Sequence, residues 1–388
     1  MDTKTNAPHI HLTMRHFCVL TLLSLTAVTT RAQRPAAAVL LDTSALSTFA
    51  DSIARGTFGK VDGIRVLQNG VLRFSRDFPR SYDGVYAMTD PSGPFNYHDA
   101  RWHPYHAGSA RHTLQSVTKS VTSLVYGIAL ARGDIKSIDA PIANYLPRYA
   151  DAFGDARKKR ITIRHLLAMT SSIHWPEGGT YDAAEDLTGR MEKSADWPAV
   201  VLAQPMDSEP GSIWNYSSGG AALLAAVFKG ATGRDLQDYA RAHLFGPLGI
   251  TNVYWKRSPG KLTDSEGGLY VTIDDLAKLG QMLAAGGVWR GRQVVPAAWL
   301  RESTRPLLTL PPPRGADGTR YGLLWWMPPT GLVRDTATFY GNGYGGQYLV
   351  VMPATKTVAV ITQWNLERQI VTARGFIERV ERAVRSGR

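Results

Sequence analysis

A chain of 388 residues with 44% hydrophobic and 20% charged residues has enough apolar material for one large domain or two closely joined ones, which excludes a disordered or fibrous protein. Its 44 Lys and Arg exceed its 32 Asp and Glu, for a net charge of +12, so an acidic partner has to be weighed. A single cysteine, Cys18, excludes a disulfide framework.

In chain order, the first signal is Met14-Arg15-His16 followed by the 12-residue apolar run from Phe17 to Val28 and by the small residues around Ala32. This pattern predicts a secretory signal peptide over residues 1–32, too short for the roughly 20 residues that span a bilayer. Cys18 lies inside it, so the exported chain has no thiol for a nucleophile or a metal site. From Gly63, IRVLQNGVLRFSRDF alternates around Asn69-Gly70 and predicts a hairpin. Apolar residues at 117, 121, 124, 125 and 128 predict a helix from Ser116 that closes at Arg132-Gly133. Between about 134 and 265 the segments read as helices with Pro- and Gly-rich joints. The Arg157-Lys158-Lys159-Arg160 cluster has no interleaved aromatics, so it is read as a solvated loop, and no nucleic-acid partner is expected.

After TIDDLAKLGQMLAAGG and VVPAAWLREST, both helical, short strands lead to YGNGYGGQ. Gly341, Gly343 and Gly346 there fit G-x-G-x-x-G, but a dinucleotide loop needs a helix next. The chain instead continues with YLVVMP, ATKT and VAVITQW, a hairpin, so that reading is excluded. A helix from about Thr372 ends the chain. Strands from both termini around a helical middle predict an α+β fold, with one antiparallel sheet shared by residues 33–133 and 266–388 and a helical subdomain at 134–265.

Ser116 and Lys119, three apart at a helix start, share a face. A lysine partly buried there loses its charge by desolvation and accepts the serine proton, while the helix start favours an oxyanion. The pattern recurs as Ser258-Pro259-Gly260-Lys261, where Pro and Gly predict a turn. In PGSIWNYSSGG, Tyr216 stands just before a predicted helix, placed to pass a proton if an ammonium lowers its pKa.

QSVTKSVTSLVYGIAL, DAPIANYLP, ITIRHLLAMTSSIHW, PGSIWNYSSGG, HLFGPLGITN and YGNGYGGQYLVVMP, in that order, resemble the serine β-lactamase and DD-peptidase superfamily. The resemblance is to the branch with class C β-lactamases, family VIII esterases and 6-aminohexanoate-dimer hydrolase. It implies Ser116 as nucleophile, Lys119 as its base and Tyr216 as proton shuttle. Ser218 stands where many relatives have the Asn of Y-x-N. The third motif, K-T-G or H-x-G in relatives, falls on Gly341-Asn342-Gly343, leaving Asn342 and Gly343 as substrate support and no cation. The Tyr344 and Ser116 N–H groups would form the oxyanion hole. The implied activity is hydrolysis of a small amide, ester or peptide without metal or cofactor. Action on penicillin or peptidoglycan peptides, and a non-catalytic cell-wall peptide-binding protein, are the alternatives. Trp175, Trp325 and Trp326 are candidate cleft residues, and the oligomeric state is open.

Overall fold

The computed structural model describes residues 1–2, 41–79, 110–177, 186–366 and 370–386. The signal peptide expected over residues 1–32 lies outside them, apart from the first two residues. Val39–Arg388 form one compact unit.

Asn69 and Gly70 take φ of 52° and 77°, the left-handed pair that a tight two-residue hairpin turn requires. They join β1 (Val61–Gln68) to β2 (Val71–Asp77), preceded by helix α1 (Ser44–Ala54). β3 (Arg111–Thr113) leads into α2 (Val117–Ala131), which ends with Gly133 at φ 77°. The helical middle contains α3 (Ala156–Lys159), α4 (Ile163–Leu167), α5 (Leu187–Lys193), α6 (Trp197–Leu202), α7 (Ser218–Thr232), α8 (Leu236–Ala240) and α9 (Gly246–Leu248). Two strands the periodicity does not announce, β4 (Tyr254–Trp255) and β5 (Leu269–Thr272), pair beside β3 as a small antiparallel sheet. β4 falls inside the stretch read as helical, because two residues are too few for an alternating pattern to register.

The remaining elements are α10 (Ile273–Ala284), the hairpin of β6 (Val288–Trp289) with β7 (Arg292–Gln293), α11 (Ala297–Ser303), β8 (Leu308–Thr309), β9 (Arg320–Tyr321), β10 (Trp326–Met327), β11 (Phe339–Gly343), β12 (Gln347–Met352), β13 (Thr357–Gln363) and α12 (Ala373–Ser386). Among the described residues, eight strands form one sheet in the order β2-β1-β13-β12-β11-β10-β9-β8, antiparallel throughout. The sheet is thus assembled from the two ends of the chain, with β1 paired to β13. This is the α+β architecture the strand distribution predicts. Among the described residues, no helix is long and apolar enough to cross a membrane.

Two helices are buried nearly all round. Val117 to Ala129 of α2 and Ser218 to Phe228 of α7 are buried, the polar residues of α2 included. Polar groups inside α2 therefore need partners: Ser120 donates to the Leu324 carbonyl at 2.7 Å, and Thr122 to that of Ser265 at 3.0 Å.

Two cations of the basic cluster have carboxylate partners. Arg157 pairs with Asp155 and Arg160 with Glu209, while buried Lys158 donates to the Leu202 carbonyl.

Candidate active site

The turn from β3 into α2 carries Ser116. Gln115 takes φ 48°, a left-handed conformation that L side chains rarely adopt, and Ser116 caps α2 directly after it. Such strain is kept where the surroundings impose it, and the serine that follows is half-buried.

Lys119 is buried one turn later. Its ammonium donates to Ser116 Oγ at 2.9 Å, Ser218 Oγ at 3.1 Å, the Glu266 carbonyl at 2.9 Å and Glu266 Oε2 at 2.9 Å. Four acceptors around three protons describe a charged amine. Burial alone would lower the Lys119 pKa, but Glu266, Tyr216 and Glu177 outweigh it and hold the amine above the ordinary lysine value. The expectation that desolvation neutralises Lys119 is therefore overturned, because a carboxylate is buried with it.

Tyr216 stands one residue before Ser217, whose Oγ accepts from the Gly220 N–H at the start of α7. Its ring lies 5.1 Å from Lys119 Nζ and its phenol is within hydrogen-bonding reach of Ser116. Burial pushes the phenol up, and the opposing pull of Lys119 does not compensate. The expected lowering is thus also reversed, and the resting group is a neutral phenol.

Ser218 joins two parts of the site. It accepts from Lys119 and donates its hydroxyl to Glu177 Oε1 at 2.8 Å, while its N–H donates to Glu177 Oε2 at 2.7 Å. Glu177 thereby occupies the N-terminus of α7, and burial raises its pKa in spite of Lys119. Sequence reasoning missed Glu177 and Glu266. Neither belongs to a local motif, and each reaches Lys119 only through the tertiary fold.

β11 closes the other side. A Cβ on Gly343 would lie 2.4 Å from the Leu114 carbonyl oxygen, and one on Gly341 would lie 2.9 Å from Val117 Cγ1. The strand is pressed against the start of α2, so the glycines serve close approach, and Gly341 leaves no room for a larger side chain. Asn342, between them, is half-buried opposite Tyr348. The turn after Gly343 closes with the Gly346 N–H donating to the Gly343 carbonyl at 3.0 Å, with Gly345 at φ 77°. Buried amides hold this turn: Gln347 donates to the Tyr344 carbonyl and Gln363 to that of Gly346. Tyr344 is exposed, with its hydroxyl on the Leu366 carbonyl.

Of the three tryptophans singled out, Trp175 and Trp325 are fully buried. Trp326 lies 5.8 Å from Tyr216, ring to ring, beside Trp214, which the sequence did not single out for the cleft. Ser258 and Lys261 sit in a turn, as Pro259-Gly260 predicts: the Lys261 N–H donates to the Ser258 carbonyl.

A family model described as Beta-lactamase matches residues 84–369. The chain belongs to the beta-lactamase family. Within it, the chain is 29% identical over 287 residues to a 6-aminohexanoate-dimer hydrolase from Paenarthrobacter ureafaciens, covering 67% of this chain and 69% of that one. It is 32% identical over 144 residues to esterase EstB from Burkholderia gladioli, a match that spans 35% of this chain and only 36% of the esterase. A penicillin-binding protein homologue from Caulobacter crescentus superposes with a TM-score of 0.62 at 15% identity, covering 90% of this chain and 99% of that one. Membership of this family makes the chain a serine hydrolase.

Proposed function

We propose that the protein is an exported serine hydrolase that cleaves a small amide or ester through an acyl-enzyme on Ser116. The observation that carries this reading is the 2.9 Å hydrogen bond from Lys119 to Ser116 Oγ inside a buried, acid-backed site. Ser116 attacks the carbonyl as its proton passes to Lys119, which releases one to Glu266. Tyr216 protonates the leaving group and is replenished from Lys119, and Glu266 then returns its proton to Lys119. Each residue ends as it began, and the serine proton has moved to the leaving group. Water attacks the acyl-enzyme by the same route in reverse. The backbone N–H groups of Ser116 and Tyr344 hold the developing oxyanion, with Asn342 and Gly343 along the substrate.

The experiment uses protein recovered from the periplasm or medium, where an N-terminus near residue 33 checks removal of the leader. Intact mass after exposure to a chromogenic short-chain ester should show one acyl adduct on the wild type and none on Ser116→Ala. No adduct from this ester or from a panel of amides would sink the reading.

A further inference from the structure

Glu192, Lys256 and Asp264 take no part in the proton transfers above, yet all three are buried with Glu266. Carboxylate oxygens of Glu192, Asp264 and Glu266 lie within 4.8 Å of one another. Lys256 is bonded to Glu192, pairs with Asp264 Oδ2 at 3.1 Å and lies 5.7 Å from the Trp197 ring centroid. The turn between β4 and β5 ties these groups together. Asp264 Oδ1 accepts from the Glu266 N–H at 3.1 Å and the Gly267 N–H at 3.0 Å, and the Asp264 N–H donates to the Lys256 carbonyl at 2.9 Å.

Three carboxylates facing the two ammoniums of Lys119 and Lys256 would leave one negative charge unbalanced in a buried space, where an uncompensated ion is strongly disfavoured. One proton removes it. Two backbone N–H groups favour the anion of Asp264, and the Lys119 ammonium favours that of Glu266, whereas Glu192 has only the cation it shares with Asp264. The proton therefore rests on Glu192, whose carboxyl burial pushes up to about 8 against the pull of Lys256. The groups facing Glu192 are Lys256, Asp264 and Glu266. Beyond them, Glu177 and Tyr216 face Lys119, and Tyr254 faces Lys256 with its phenol pushed up by burial.

We propose that Glu192 is a positioning residue for the transfer of a proton from Lys119 to Glu266, its negative charge making Glu266 the better acceptor. When Glu192 ionises, an anion appears within 4.8 Å of a Glu266 oxygen, and the protonated form of Glu266 is favoured. Lys119 then gives a proton to Glu266 Oε2 across their 2.9 Å hydrogen bond more readily, and takes the Ser116 proton in its place. Glu192 itself neither gains nor loses a proton in that exchange. This proposal rests on the acyl-enzyme reading and adds the control of its base.

The test follows the acylation burst of a chromogenic short-chain ester from about pH 6 to about pH 9 in wild type, Glu192→Gln and Glu192→Asp, with spontaneous hydrolysis subtracted. The wild-type rate should step up as the pH passes about 8. For each variant the readout is its own rise across the range relative to the wild-type rise, so a uniform loss from poorer folding cancels. Glu192→Gln should lose on the order of 10- to 100-fold of that rise, the effect of a unit charge at this separation inside a protein, and Glu192→Asp should retain part of it. A wild type with no step in this window, or a Glu192→Gln profile parallel to the wild type, would overturn the proposal while leaving the hydrolase intact. A wild type that forms no acyl adduct at any pH strikes at the acyl-enzyme reading itself.

Discussion

Lys119 is surrounded by more acceptors than it has protons, and one of them is a carboxylate sealed in with it. An ammonium cannot accept a serine proton until it gives one up, and in the proposed mechanism Glu266 is that proton's destination. Glu266→Gln should therefore lower kcat about 10²- to 10³-fold with little change in KM, within the range of general acid–base catalysis. Steady-state kinetics against pH check this. A rise in kcat at neutral pH would mean instead that neutral Lys119 is the working base and Glu266 only restrains it. At this scale the sequence was informative about Ser116, Lys119 and Tyr216, each marked by a helix start. It was silent about Glu266, which reaches Lys119 from far away in the chain.

Among the elements, β11 and the turn into α2 act as one unit. The Gly343 contact is with backbone, which cannot yield without moving the turn that carries Ser116, whereas the Gly341 contact is with the Val117 side chain. Gly343→Ala should cost about 1–3 kcal/mol and most of the activity, with no recovery on changing Val117. Gly341→Ala should be milder, and Val117→Ala should restore part of its loss. Thermal melts and ester turnover on the single and double variants check both, and equal rescue of the two glycine variants would contradict the assignment. The hairpins around Asn69-Gly70 and after Gln347 were legible because turn residues and alternation act over a few neighbours. The two-residue strands were not, since they exist only by pairing.

Across the molecule, a buried charge network extends behind the site. Oxygens of Glu192, Asp264 and Glu266 lie within 4.8 Å of one another, with Lys256 bonded to Glu192 and Asp264. Lys119 outweighs burial and holds Glu266 below the ordinary carboxyl range, whereas burial pushes Glu192 and Asp264 up despite Lys256, Glu192 to about 8. At Glu192 the folded state thus keeps a proton that the unfolded chain releases, from about pH 5 to about 8. Stability should fall as pH rises through that window, by up to about 1.4 kcal/mol per pH unit for each proton retained. Glu192→Gln should flatten the decline, read as Tm against pH for both proteins, and identical slopes would refute it.

The sequence by itself determined the α+β order of elements, the place of Ser116 at a helix start and the hairpin that follows YGNGYGGQ in place of a helix. Local periodicity, turn chemistry and motif spacing are properties of neighbouring residues, so they survive without a fold. Only the tertiary structure decided the ionisation of the site and the reason for its glycines. Burial, the carboxylates facing Lys119 and the approach of β11 to α2 join residues from distant parts of the chain. An amine's charge and a strand's clearance depend on what is packed against them, and sequence spacing carries no record of that.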